Sequence, residues 1–267
     1  MELAEYTSYL ATLTNHVHHR VIGSILEQER YIKEPERFFY SLLFKLNNGL
    51  DSANLFILNI FNKPHYSDSL FLILRTLISD IITLDYILTK SKGNASELNE
   101  YIESVYYDHI KFELKNFDVL QLLYKESKIV IDNKKQELKN ERKKFFDNSG
   151  NPKSYLKDIK SVSAMVKEIA QETKKKIPLA SISDAFEHYS IFSKYEHLGD
   201  LTFHLIHRSF RDDQNQKNRI LSEISCSVGV ILHYQGLLIS TFFGKDTQEY
   251  KAFNELKAKI MRTNISG

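Results

Sequence analysis

Tryptophan is absent from this 267-residue chain, cysteine occurs once, and proline and glycine number only 4 and 9. Each shortage excludes something. A single thiol, Cys226, permits no internal disulfide and no cysteine-based metal site, and it suits a reducing, cytoplasmic compartment. So few prolines and glycines leave few forced turns, and no alternating apolar run bounded by such residues reads as a strand. No internal repeat of roughly 20–50 residues is present. The opening MELAEYTSYL carries acids and no apolar stretch, so no signal peptide is expected. There is no Gly-rich phosphate loop, no His-Glu-x-x-His, no strand-turn nucleophile motif and no pair of Glu-x-x-His helices. No cofactor and no metal are therefore expected.

What remains favours helix throughout. Leu, Ile, Lys, Glu and Asn dominate, and 17 Phe with 15 Tyr supply the bulk of a core. The expected fold is all-α, a multi-helix bundle. A first helix is predicted from about Leu3 to Tyr31. A second has Pro35 in its first turn and ends before Pro64. The third, SLFLILRTLISDIITLDYILTK, is capped near Ser67 or Asp68 and stops at Lys92-Gly93. It is apolar on nearly every side and so should be central. Ile224 to Gly244 contains no Asp, Glu, Lys or Arg, long enough to cross a bilayer. Its Ser225, Ser227, His233, Gln235, Ser240 and Thr241 would be costly in lipid, which favours a buried central helix and no membrane partner.

The formal net charge of +2 points to no polyanionic partner, but its distribution is uneven. Lys125 to Lys176 holds 15 Lys or Arg against 8 Asp or Glu, a local +7. Ser149-Gly150-Asn151-Pro152 is the clearest turn in the chain. Two charged helices meeting there predict a protruding antiparallel hairpin over 125–176, set on a discontinuous body of 1–124 and 177–267. Such an arm suits a second copy or a protein partner. Nucleic acid is the less favoured occupant, because acids alternate with the lysines and aromatics are not interleaved.

Ile182 to about Arg211 is predicted as one amphipathic helix, bent at Gly199, with an unusual polar stripe from Tyr189 onward. Tyr189, Ser193, His197, Asp200, His204 and His207 share one face, with Arg208 and Arg211, opposite Ile191, Phe192, Leu198 and Leu205. A solvated face normally uses Lys and Glu, so the stripe reads equally as one wall of a polar cleft. His197, Asp200 and His204 have the spacing to chelate a metal, but histidines so placed are more often merely polar. His16, His18 and His19 spread over more than one face and read as ordinary surface. In the third helix, Arg75 is surrounded by Leu, Ile and Phe and must find acceptors on another helix. Asp80 and Asp85 lie off its face. Arg75 is expected to share one polar centre with Tyr189, Ser193 and His197.

Tyr189-x3-Ser193-x3-His197, with the upstream Leu74-Arg75-x-Leu77 helix, resembles an all-helical bacterial family known as domain of unknown function 5677. The resemblance covers two helices and departs from the family's pattern at Ser79, where an acid is usual. It implies an all-helical fold with a polar centre and brings no assigned activity. A more distant resemblance is to the helical nucleotide-binding and ribonuclease superfamily of prokaryotic defence systems. Its Arg-to-His spacing is not found after any Arg here. Two functions follow as expectations. The first is a binding or interaction role through the polar cleft and the basic arm. The second is an enzyme acting on RNA or a nucleotide, with His197 or His204 as general base and Arg75 stabilising phosphate charge.

Overall fold

A computed structural model describes residues 2–62, 66–124, 127–173, 180–193 and 214–263. The chain is all-α, as its composition predicts. Among the described residues the only pairing of β type is an isolated bridge between Phe146 and Pro152. Two compact units divide the chain, one from 1–85 with 165–267 and one from 86–164.

The first unit opens with α1 (Glu2–His16), which passes through a π-helical turn (Val17–Ile22) into α2 (Gly23–Glu27). The π turn carries the buried row of Leu10, Leu13 and Val17 across to Val21, Ile22 and Ile25. Glu29, with φ of 52°, ends this rod before the predicted Tyr31. Pro35 is the N-cap of α3 (Glu36–Asn59), one place earlier than the first-turn site expected for it. Packing of α1 on α3 is pinned by two polar rungs. Asn54 Nδ2 donates to the Thr7 carbonyl at 3.0 Å and Asn47 Nδ2 to the Thr14 carbonyl at 3.2 Å. On each helix the two rungs lie two helical turns apart, so a slip by one turn would break both.

Next comes α4 (Tyr66–Ser91), followed later in this unit by α7 (Val162–Thr173), α8 (Ala180–Phe192), α9 (Gln214–Phe243) and α10 (Gln248–Arg262). Leu70, Phe71, Leu74, Leu77, Ile78, Ile81, Ile82 and Leu84 of α4 are all buried, so this helix is central, as its hydropathy predicts. The most apolar window of α9 has a mean hydropathy of 1.4 and is 61% buried. Ser227 and Gln235 lie wholly inside on that helix, and α9 packs against α3, α8 and α10. Its enclosure agrees with the reading as a core helix.

The second unit replaces the hairpin expected over 125–176. The antiparallel partner of α6 (Lys128–Glu141) is α5 (Ala95–Tyr124), not a following lysine-rich helix. After α6 a 3-10 turn (Lys143–Phe145) leads into the predicted turn, where Asp147 Oδ1 accepts from the Ser149 and Asn151 amides at 2.9 Å. The chain then runs without helix to 161, and from Met165 onward it belongs to the first unit. Aromatic residues explain the difference. Phe145 and Phe146 bury against Tyr106, Tyr107, Ile110 and Leu114 of α5, and Leu156 of the return segment joins them. Lys157 lies 4.0 Å from the Tyr101 ring centre, and its backbone amide donates to Ser104 Oγ at 2.9 Å. A second helix through 153–161 would forfeit these contacts.

Buried polar groups in the first unit give a stability test. Asn47 and Asn54 each donate a hydrogen bond through Nδ2 while their Oδ1 atoms have no partner among the described residues, whereas neither atom of the fully buried Gln235 amide has one. In urea denaturation, Asn47→Ala and Asn54→Ala should each cost about 1–2 kcal/mol, while Gln235→Met should be neutral or stabilising by about 1 kcal/mol. A clear loss on Gln235→Met would mean that its amide is hydrogen-bonded in solution.

Candidate functional site

Between Asp68 and Lys90 at its ends, three charged residues interrupt the apolar middle of α4, and each is met by a different helix. Arg75 Nη2 donates to Tyr189 Oη of α8 at 3.4 Å, a long bond, and its guanidinium carbon lies 5.1 Å from the centre of the Tyr189 ring. At that separation the ring face contributes more than the hydroxyl. One turn earlier on α4 and one turn later on α8, Phe71 stacks on Phe192 at 4.9 Å. Asp80 forms an ion pair with Lys45 of α3 at 2.7 Å. Asp85 accepts a hydrogen bond from Tyr234 Oη of α9. The two mid-helix acids of α4 therefore serve α3 and α9.

Of the predicted polar centre, the structure brings Arg75 and Tyr189 together. Ser193 Oγ is spent on its own helix, donating to the Ser190 carbonyl at 2.8 Å. His197, Asp200, His204 and His207 lie outside the described residues, as do Arg208 and Arg211. Among the described residues no group of three or more His, Cys, Asp or Glu is arranged to hold a metal ion.

Among the described residues, two concavities of the first unit lie elsewhere. The larger is a groove of about 520 Å³ between α3 and α4. Phe44, Gly49, Leu72, Ile73 and Leu77 make it apolar, and Lys45 and Asn48 supply polar edges. Gly49 is what lets the helices approach: a Cβ there would meet the Leu77 methyls at 2.6 and 2.7 Å. Phe44 and Leu72 stay exposed to water on either side. The groove residues of α4 and Arg75 occupy different faces of that helix, so Arg75 faces α8 rather than the groove.

The smaller concavity, of about 340 Å³, is polar and lies beside the π turn, lined by His16, Arg20, Gln248 and Glu249. His16 Nε2 sits 3.3 Å from the Glu249 carbonyl. The reading of His16, His18 and His19 as surface agrees with the exposure of His18 and His19, but it did not reveal this concavity. His16 and Arg20, four residues apart, share one side of the helix, and the other wall comes from Gln248 and Glu249, far away in the sequence. The groove was missed for another reason, since Phe44, Leu72 and Leu77 read simply as core.

Among the described residues, part of the arm's positive charge is already engaged within the unit. Lys135 pairs with Asp118, Lys111 with Asp158 and Lys157 with Glu100. Lys139 and Lys144 cover the rings of Phe146 and Phe145.

Burial pushes the Asp85 carboxyl up to about 6, against which the Tyr234 hydrogen bond acts only in part. The folded state then holds a proton on Asp85 that the unfolded state has released between pH 3.8 and about 6. Stability from this group is therefore lost as pH rises through that window, by roughly 2–3 kcal/mol. Asp85→Asn should flatten the fall when urea midpoints are compared at pH 4, 5 and 7. An unchanged pH profile in that variant would show that Asp85 ionises freely. The Arg75 contact has its own test. Tyr189→Phe should cost less than about 0.5 kcal/mol and Tyr189→Leu about 1 kcal/mol or more, since only the second removes the ring. Equal losses would assign the contact to the hydroxyl.

Compared with family models, with curated proteins and with solved structures, the chain matches none. The resemblance to family 5677 therefore rests on the quoted residues of two helices alone.

Proposed function

We propose that this chain is a non-catalytic binding protein whose α3–α4 groove receives the apolar body of a small amphiphile. The observation that carries the reading is the groove itself. Its volume falls in the range of small-molecule sites, about 300–1,000 Å³, and such sites are mostly apolar with a few polar groups to orient the ligand. Phe44 and Leu72, left in water on its two sides, would be covered by an occupant. Lys45 at the edge favours an anionic head group. Asp80 takes one of its three N–H donors and leaves others to point outward. The binding role expected from the sequence is thus kept, but it moves from the Arg75–Tyr189 contact to the neighbouring helix pair. An exposed lone thiol at Cys226 supports a reducing compartment.

The reading as an enzyme acting on RNA or a nucleotide needs His197 or His204. Arg75 is already seated on Tyr189 and Ser193 is bonded within its helix, so the described residues lend it no further group.

Calorimetric titration with straight-chain alkyl carboxylates tests the proposal. Affinity should rise roughly fourfold per added methylene, from about 0.8 kcal/mol each, until the groove is full. Alkyl ammonium ions of equal length should bind more weakly. Thr76→Trp, at an exposed position on the groove wall, should fill the groove and abolish binding. Absence of binding at every chain length, or binding indifferent to Thr76→Trp, would defeat the reading.

A further inference from the structure

The second unit carries a helix face that its own packing does not use. On α5, Tyr107, Ile110 and Leu114 turn inward to the Phe145–Phe146 cluster. The opposite side is apolar as well. His109, Phe112, Asn116, Val119 and Leu123 follow one another at spacings of 3, 4, 3 and 4 residues, and all five are exposed. This is the a/d pattern of a helix that expects another helix. A solvated helix surface would place charge there instead.

Size argues in the same direction. Phe112 is 65% exposed, Val119 51%, Leu122 80% and Leu123 70%, with Leu120 beside them. At about 150–200 Å² per large side chain these leave roughly 500 Å² of apolar surface in water. That is near the top of the ~300–600 Å² found for the largest patch on a monomer. Interfaces are only about 56–58% apolar, so the stripe corresponds to a contact of roughly 800–900 Å² per partner, which is what a standard dimer uses.

We infer that α5 pairs with α5 of a second copy of this chain, through the stripe of Phe112, Asn116, Val119 and Leu123 about a two-fold axis near Asn116. Asn116 selects the second copy among the occupants of such a stripe. A carboxamide both donates and accepts, so whichever way the helices run, a two-fold axis through this residue sets the amide against its own symmetry mate and satisfies both. An apolar partner helix would leave it unsatisfied, and a lipid surface would have to take it in uncompensated. A single polar residue in an a/d seam also fixes register and the number of strands.

The full-length chain in sedimentation velocity should be a dimer at micromolar concentration. Val119→Lys with Leu123→Lys should weaken association by at least roughly a hundredfold while leaving the circular dichroism spectrum and the urea transition unchanged, since neither residue faces the Phe145–Phe146 cluster. Leu55→Lys, equally exposed on α3, should leave the dimer intact. Asn116→Leu should keep association but relax the number of copies. Asn116→Cys in a Cys226→Ser background should give a covalent dimer under mild oxidation, a positive signal that does not depend on loss of anything. A monomeric wild type, a dimer that survives the double lysine variant, or failure of the Asn116→Cys cross-link would overturn the inference. So would a monomer that floats with phosphatidylglycerol vesicles and loses that property in the lysine variant, which would assign the stripe to lipid.

Discussion

Enclosing α4 is the constraint on which the first unit depends. A helix that presents Leu, Ile and Phe in every direction cannot lie on a surface, because each turn left in water forgoes roughly 1.5–3 kcal/mol per large side chain. The chain meets this by setting α3, α7, α8 and α9 against it. Contacts such as Gly49 with Leu77, Thr83 with Met165, Phe71 with Phe192 and Asp85 with Tyr234 mark the four neighbours. Apolar packing alone would tolerate several arrangements of such helices. The three charged residues of α4 restrict them, since each needs a different partner and a partly buried charge without one is expensive. Arg75 takes α8, Asp80 takes α3 and Asp85 takes α9.

The same economy of polar contacts orders the α1–α3 pair. Leucines and isoleucines there would pack almost as well one turn out of step. The Asn47–Thr14 and Asn54–Thr7 rungs would not, because a slip strands two amides and two carbonyls inside. Where α3 meets α4, the close approach at Gly49 leaves a groove rather than a filled seam, so the proposed binding surface is a by-product of how tightly two core helices cross.

In the second unit lysine is a packing residue. Several described lysines of the segment richest in positive charge lie on ring faces or pair with carboxylates of α5, as Lys157 does with Tyr101 and Glu100. Local charge therefore overstates what remains for an anionic partner. With one side of α5 taken up by Phe145 and Phe146, its apolar opposite side is a surface in this unit that hydrophobic association can use.

Helical class, the central place of α4, the end of that helix before Gly93, and the turn after Phe146 were all legible in the sequence. They follow from local properties: the period of apolar residues, left-handed glycines and side-chain caps. The pairing of Arg75 with Tyr189 was legible too, because an arginine among leucines must reach outward and few polar stripes were available to it. Tertiary structure alone decided which helix α6 joins, whether 153–161 is helical, and where concave surfaces open. Those depend on what an aromatic ring or a lysine meets across space. Phe145 carries the same hydropathy whether it lies in a hairpin seam or against Ile110, and Phe44 the same whether it fills a core or borders a groove. Periodicity records which residues leave water and is silent on what they meet when they do.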